Sequence, residues 1–284
     1  MLRIALLTLL TMLAFAGNSV LCRLALKETA IDAASFTSVR LLSGAVVLFL
    51  ITRLLHPPRS GNGSWGSAFA LFVYAAAFSF AYIQLDAATG ALLLFGAVQV
   101  SMIGYGLWSG ERLAARQVLG LVAALAGLTG LLLPGLHAPP LVAATLMLSA
   151  GIAWGVYSIR GRGAGDPTRV TTGNFLRAVP MALGLSALVG LPGIADLSLD
   201  TAGLGFALAS GALTSGLGYA LWYRVLPSLQ STHAATVQLS VPVITAIAGV
   251  LLLEEPITLR LVLASLAVLG GIALVIAWRP DGRR

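Results

Sequence analysis

Apolar residues run through this chain in long blocks separated by short polar connections. The blocks cover residues 4–26, 33–52, 65–85, 88–109, 115–134, 140–159, 169–191, 201–223, 231–253 and 258–278. Each is close to the ~20 residues an α-helix needs to cross the hydrocarbon core of a bilayer. The breaks carry glycine, proline and charge, as in Arg53 to Ser64, Pro134 to Pro140, Arg160 to Arg169 and Glu254-Glu255-Pro256. Residues 65–109 read as two helices, because Gln84 and Asp86 mark a polar break and one helix of that length would far overshoot a ~30 Å core. The pattern predicts an all-α polytopic membrane protein of ten transmembrane helices.

Composition excludes the soluble alternative. The chain is 58% hydrophobic and only 10% charged, against roughly 25% charged residues in a soluble domain. In water so apolar a chain would expose aggregating patches, so the lipid bilayer is the first partner implied. The net charge of +7 does not indicate nucleic acid, since the basic residues sit singly in short connections and form no stripe. They report orientation instead. With the N-terminus inside, twelve arginines, from Arg3 and Arg53 to Arg283 and Arg284, fall in inside connections, and only Arg23, Lys27 and Arg260 fall outside. Both termini are therefore expected in the cytoplasm, with the chain multi-pass in the cell (inner) membrane. Arg3, the first apolar run and Ala14-Phe15-Ala16 have the outline of a cleavable signal, but the run continues to Leu26 and favours a retained helix. Cys22 is the single cysteine, and His56, His137 and His233 lie far apart. Neither a disulfide, a metal site nor a cofactor is expected.

The two halves echo one another. Ala16-Gly17 in span 1 matches Trp154-Gly155 in span 6, and Arg40 in span 2 matches Arg177 in span 7. Glu111 after span 4 matches Glu255 after span 9, and Ala123-x-x-x-Gly127 in span 5 matches Ala267-x-x-x-Gly271 in span 10. Five spans per half place the second copy in the membrane upside down. The chain is expected to form two inverted five-helix repeats, residues 1–136 and 137–284, the architecture many secondary transporters use to alternate access around a midplane site.

These residues carry a family resemblance. Gly17-Asn18, Arg40, the Gly110-Glu111-Arg112-Leu113 turn, Trp154-Gly155, and Pro242 followed by Leu253-Glu254-Glu255-Pro256-Ile257 resemble an EamA-type member of the drug/metabolite transporter superfamily. The chain departs from that pattern at Ala16, where a tryptophan often precedes the glycine, and has Val98 where span 9 has Pro242. The resemblance implies ten helices, cytoplasmic termini and export of small metabolites. Within the family the chain is most similar to the YddG-type exporters of aromatic and other neutral amino acids.

Polar and aromatic side chains inside spans are the candidate site, because lipid penalises polar groups that face neither a cavity nor another helix. Tyr74, Phe78 and Tyr82 share one face of span 3 at i, i+4 and i+8. Phe95 and Gln99 share a face of span 4, Trp154 and Tyr157 a face of span 6, and Asn18, Ser19 and Gln238 add polar groups. Span 8 holds further rings at Tyr219, Trp222 and Tyr223. Together they suggest an aromatic-walled substrate cavity in which amides orient a polar head. Packing of ordinary core helices is the competing account of the same faces. Arg40 and Arg177 are read as structural, snorkelling or bonding loop carbonyls at their own ends. Glu111 and Glu255 are read as caps of the helices that follow them, and Pro180 and Pro242 as interruptions or hinges of spans 7 and 9. The small residues of spans 5 and 10 pack these helices against each other or against another copy, giving a monomer or a weak homodimer.

No Asp, Glu or His lies near the middle of a span. Proton relays normally use such groups, so the expected function is facilitated movement of a small neutral solute, an amino acid or another metabolite or drug. A channel is a further possibility. An intramembrane lipid-modifying enzyme would need clustered carboxylates or histidines, and none is found, so no catalytic residue is assigned.

Overall fold

A computed structural model describes residues 2–55, 61–110, 113–135, 138–161, 165–225, 228 and 237–277. Glu111, the three histidines, and the loop arginines Arg59, Arg112, Arg162, Arg279, Arg283 and Arg284 lie outside the described residues. Among those described, every regular element is a helix.

The elements follow the apolar blocks. They are α1 (Leu2–Glu28), α2 (Ala33–Leu55), α3 (Trp65–Tyr82), α4 (Ala87–Trp108), α5 (Ala115–Leu132), α6 (Leu141–Arg160) and α7 (Pro167–Val189). The eighth span is composite. It begins as α8 (Thr201–Ala209), passes into a π-helical segment (Ser210–Leu217), and resumes as α9 (Gly218–Val225). The last two are α10 (Ser240–Leu253) and α11 (Leu259–Ala277). Among the described residues nine helices are long and apolar enough to cross a membrane, and α10 is a shorter apolar helix. Helical spans satisfy the backbone internally, which hydrocarbon demands.

Two predicted interruptions differ from expectation. Pro180 lies inside α7 without ending it. Pro242 is the third residue of α10, after a break at Leu239. In the first helical turn a residue has no intrahelical acceptor for its N–H, so a proline there costs the helix no hydrogen bond.

The chain buries one polar-lined centre and turns apolar faces outward. α2 packs on α7 and on the π segment, α3 on α6 and α7, α4 on α6 and α10, and α1 on α8, α9 and α10. α5 and α11 form a tight pair beside this group, joined to it chiefly through α4. Their outer faces expose Leu119, Val122, Leu263 and Leu266, a surface suited to lipid and costly in water.

The α5–α11 contact uses small residues. A Cβ on Gly271 would run into the Gly120 carbonyl and, at 2.7 Å, the Ala124 nitrogen, and one on Gly127 would meet the Ala267 Cβ at 2.8 Å. Of the two roles expected for these residues, the structure shows the first, since they lie between two helices of one chain. The Gly271→Leu substitution is expected to cost about 1–3 kcal/mol by overpacking. It should lower the thermal midpoint of the detergent-purified protein, while Leu263→Ala on the outer face leaves it nearly unchanged.

Candidate functional site

A narrow cavity of about 30 Å³ lies where α1, α3, α4, α6, the π segment and α9 converge. The α1 helix contributes Phe15, Asn18 and Ser19, spaced three and four residues apart on one face. From α3 come Tyr74 and Phe78, and from α4 Leu94 and Phe95. Trp154 of α6, Thr214 of the π segment and Tyr219 of α9 complete the wall.

Aromatic rings touch one another around this space. The Trp154 ring lies 4.8 Å from Tyr74, 5.1 Å from Tyr219 and 5.4 Å from Tyr157 between centroids. Tyr219 also meets Phe15 edge-on at 5.9 Å, and Phe78 packs on Tyr74 at 5.5 Å. Such contacts hold rings in defined positions and contribute about 0.5–1.5 kcal/mol per pair beyond their buried area.

One polar network runs along the wall. Asn18 Nδ2 donates to the Tyr74 hydroxyl at 3.2 Å. Its Oδ1 accepts from Ser210 Oγ at 2.8 Å and Thr214 Oγ1 at 3.3 Å. Arg40 reaches the same tyrosine, with Nη2 donating to the Tyr74 hydroxyl at 2.9 Å and Nε to Ser215 Oγ at 3.3 Å. The guanidinium carbon sits 5.2 Å from the Tyr74 ring centre and 5.0 Å from that of Phe78. Arg40 therefore does not snorkel. It is 1% exposed, two turns inside α2, where hydroxyls and ring faces replace the water a snorkelling head would reach.

The π segment explains how three hydroxyls reach this network. A π turn widens the helix and shifts the side chains that follow around the axis. Ser210 and Thr214, at i and i+4, face Asn18, and Ser215 within the same segment reaches Arg40. Gly211 lies so close to the Arg40 carbonyl and Ser43 of α2 that a Cβ could not be accommodated.

The remaining candidates lie beside the cavity. Tyr82 is fully buried below Phe78 and donates its hydroxyl to the Ala87 carbonyl at 3.3 Å. Gln99 is buried one turn beyond Phe95 and is not among the lining residues. Tyr157 stacks on Trp154 and accepts from Asn174 Nδ2 at 3.4 Å. Gln238 sits in the short helical stretch ahead of α10 and is not among the lining residues. Tyr219, one of the span 8 rings, lines the site, and Phe15, Leu94 and Thr214 line it without having been singled out as candidates. The spacing of Phe15 from Asn18 and Ser19 was a usable signal for the first of them.

Polar ties close the bundle on either side of the cavity. At one end Arg23 of α1 pairs with Glu255 (Nε to Oε1, 2.9 Å), donates to the Tyr82 and Ile83 carbonyls, and reaches Asp86 at 3.5 Å. Glu255 Oε2 accepts from the Ala87 N–H at 2.7 Å. This corrects the expected role of Glu255. It caps α4, not the helix that follows it, because the preceding turn, with Glu254 in the left-handed region at φ 53°, aims the carboxylate at α4. Burial raises the Glu255 carboxyl above its ordinary pKa, opposed by the hydrogen bonds from Arg23 and Ala87. At the other end Ser64 N–H donates to Asn174 Oδ1 at 2.8 Å, Arg160 Nε to Ser67 Oγ at 3.2 Å, and Arg177 to the Asn62 and Gly173 carbonyls.

Residues 141–277 match the EamA-like transporter family. An uncharacterized protein of Pseudomonas aeruginosa is 59% identical over 278 residues, which is 98% of this chain and 96% of that one. Residues 141–277, just under half of the chain, thus form an EamA-like transporter domain. An uncharacterized transporter of Archaeoglobus fulgidus is 31% identical over 171 residues, covering 60% of each chain. A protein crystal structure superposes with a TM-score of 0.64 at 18% identity over 96% of both chains, which supports the same fold. That domain, with the apolar spanning helices, makes the chain a multi-pass membrane transporter of small substrates.

Proposed function

We propose that this EamA-like transporter exports small neutral metabolites, aromatic and other neutral amino acids foremost, across the cell's inner membrane by alternating access. The observation that carries the reading is the cavity itself. Rings on five helices surround an apolar space while Asn18, Ser19, Thr214 and Tyr74 supply hydrogen-bonding groups along one wall. A neutral amphiphile presents the complementary pair, an apolar body and a polar head.

At about 30 Å³ the cavity has room for little more than a water or two. A solute of amino-acid size fits only when the helices part. That need favours a carrier over a permanently open channel. The ties at the two ends, around Arg23–Glu255 and around Asn174–Arg177, are suited to open in turn. The inverted repeat supplies the motion. A two-fold relation of span n to span n+5 maps α3–α6 onto the α1–eighth-span contact, α4–α6 onto α1–α10, and α3–α7 onto α2 with the eighth span. The pairs α2–α7, α4–α10 and α5–α11 map onto themselves. This pairing supports halves at 1–136 and 137–284, and the family match over 141–277 falls within the second. Loop charge supports cytoplasmic termini. The residues lining the cavity include no Asp, Glu or His, which supports a facilitator.

Purified protein in liposomes loaded with unlabelled phenylalanine should accumulate labelled phenylalanine by counterflow, saturably and without a pH gradient. Counterflow of other solutes with no response to any neutral amino acid would overturn the amino-acid reading and leave a carrier for another metabolite.

A further inference from the structure

We propose that the recognised head group is a carboxylate, and that Arg40, held behind Tyr74 and Phe78, gives the cavity its preference for that charge. This rests on the transporter reading above and names the chemistry of its site.

The hydrogen-bond count is one-sided. The Tyr74 oxygen accepts from both Asn18 Nδ2 and Arg40 Nη2, so its single proton is left to donate elsewhere. Asn18 Oδ1 is taken by Ser210 and Thr214, while one of its two amide hydrogens is not committed to Tyr74. Arg40 Nη1 is buried with no partner. The layer thus retains unspent N–H and O–H donors, while the Tyr74 and Asn18 oxygens are already engaged. A group offering only acceptors answers it, and an ammonium does not.

Charge points the same way. No carboxylate pairs with Arg40 among the described residues, and the ionisable side chains that bear on it are Tyr74, Tyr219 and Cys22. A buried guanidinium without a counter-charge is costly in a membrane. It lies against two of the rings that line the cavity, 5.2 Å from the centre of Tyr74 and 5.0 Å from that of Phe78. At that range, in a low-dielectric wall, its field attracts an anion and repels a cation. The ammonium of an amino acid would meet ring faces and neutral hydroxyls but no carboxylate among the lining residues, partners that tolerate a cation but do not require one. Recognition should therefore survive loss of the amine and not loss of the carboxylate.

Three probes with one phenyl body test this: L-phenylalanine, 3-phenylpropionate and phenethylamine, titrated calorimetrically into the purified full chain at neutral pH. The expected result is 3-phenylpropionate binding within about threefold of phenylalanine and phenethylamine at least about tenfold weaker than either. Arg40→Gln should bring the carboxylate-to-amine ratio near one, and Arg40→Lys should restore most of it. If Arg40→Gln does not fold, Tyr74→Phe, which keeps the ring and removes the hydroxyl, should weaken 3-phenylpropionate severalfold and leave phenethylamine unchanged. A merely structural role for Arg40 would shift all three probes together. Equal binding of amine and carboxylate to the wild type, absence of 3-phenylpropionate binding, or an unchanged ratio in Arg40→Gln would overturn the proposal. Binding with this preference but no phenylalanine counterflow would sustain the carboxylate site and sink the amino-acid carrier.

Discussion

Trp154→Ala should lower the initial rate of phenylalanine counterflow at least about tenfold at subsaturating solute, with expression and detergent stability retained. A tenfold change corresponds to about 1.4 kcal/mol, and loss of two or three ring contacts at about 0.5–1.5 kcal/mol each is sufficient. Trp154 is the hub of the aromatic wall, in contact with Tyr74, Tyr219 and Tyr157. It is only partly buried, because one face borders the cavity, so its truncation enlarges a space already present. Stability should suffer less than for Phe78 or Tyr82, which are 0% exposed and whose removal would open a new void. Trp154→Phe keeps a ring and should fall between the two. Gln99→Ala, one turn from the lining, should lower the rate less than Trp154→Ala. Wild-type counterflow in Trp154→Ala would mean that the solute passes elsewhere.

The spans were legible because hydrocarbon imposes a length and an apolarity that few soluble sequences meet, and each described helix begins or ends close to its apolar block. The faces of α3 and α6 were legible for the same reason that any i, i+4 pattern is: the α-helix period is fixed. The eighth span was not. Its Ser210 and Thr214, at i and i+4, share a face at the ordinary period, but Ser215 enters the same layer within a π segment (Ser210–Leu217), whose different period a face count made at the α-helical one misses, and that segment packs on α2 in a way no local pattern records. Arg40 was misread for a related reason. Its partners Tyr74 and Ser215 lie 34 and 175 residues away, and sequence distance hides which of them stands beside it. Glu255 was recognised as a helix cap, but the helix it caps begins 168 residues earlier. Charge type was readable at both Arg40 and Glu255; the partner was a property of the packing.

The largest loss of stability is expected at that last position. Glu255→Ala should cost about 3–5 kcal/mol, because it strands a buried cation. Arg23 is 8% exposed and would keep only the Tyr82 and Ile83 carbonyls and the distant Asp86. The same change removes the acceptor of the Ala87 N–H at the start of α4, where the N-cap residue Asp86 makes no side-chain cap bond of its own. Glu255→Gln should cost less, since an amide oxygen can still accept from that N–H. Arg23→Met combined with Glu255→Gln should lie closer to wild type than Glu255→Ala alone, as removing both charges leaves neither one desolvated and unpaired. Thermal unfolding of the purified single and double variants measures this directly. Strict additivity of the two substitutions would show that the pair is not coupled. A stable double variant would also separate the two jobs of this tie. If Arg23–Glu255 closes one end of the bundle during transport, the double variant should stay folded yet admit a thiol reagent to a cysteine introduced at Ser19, which the wild-type closure shields.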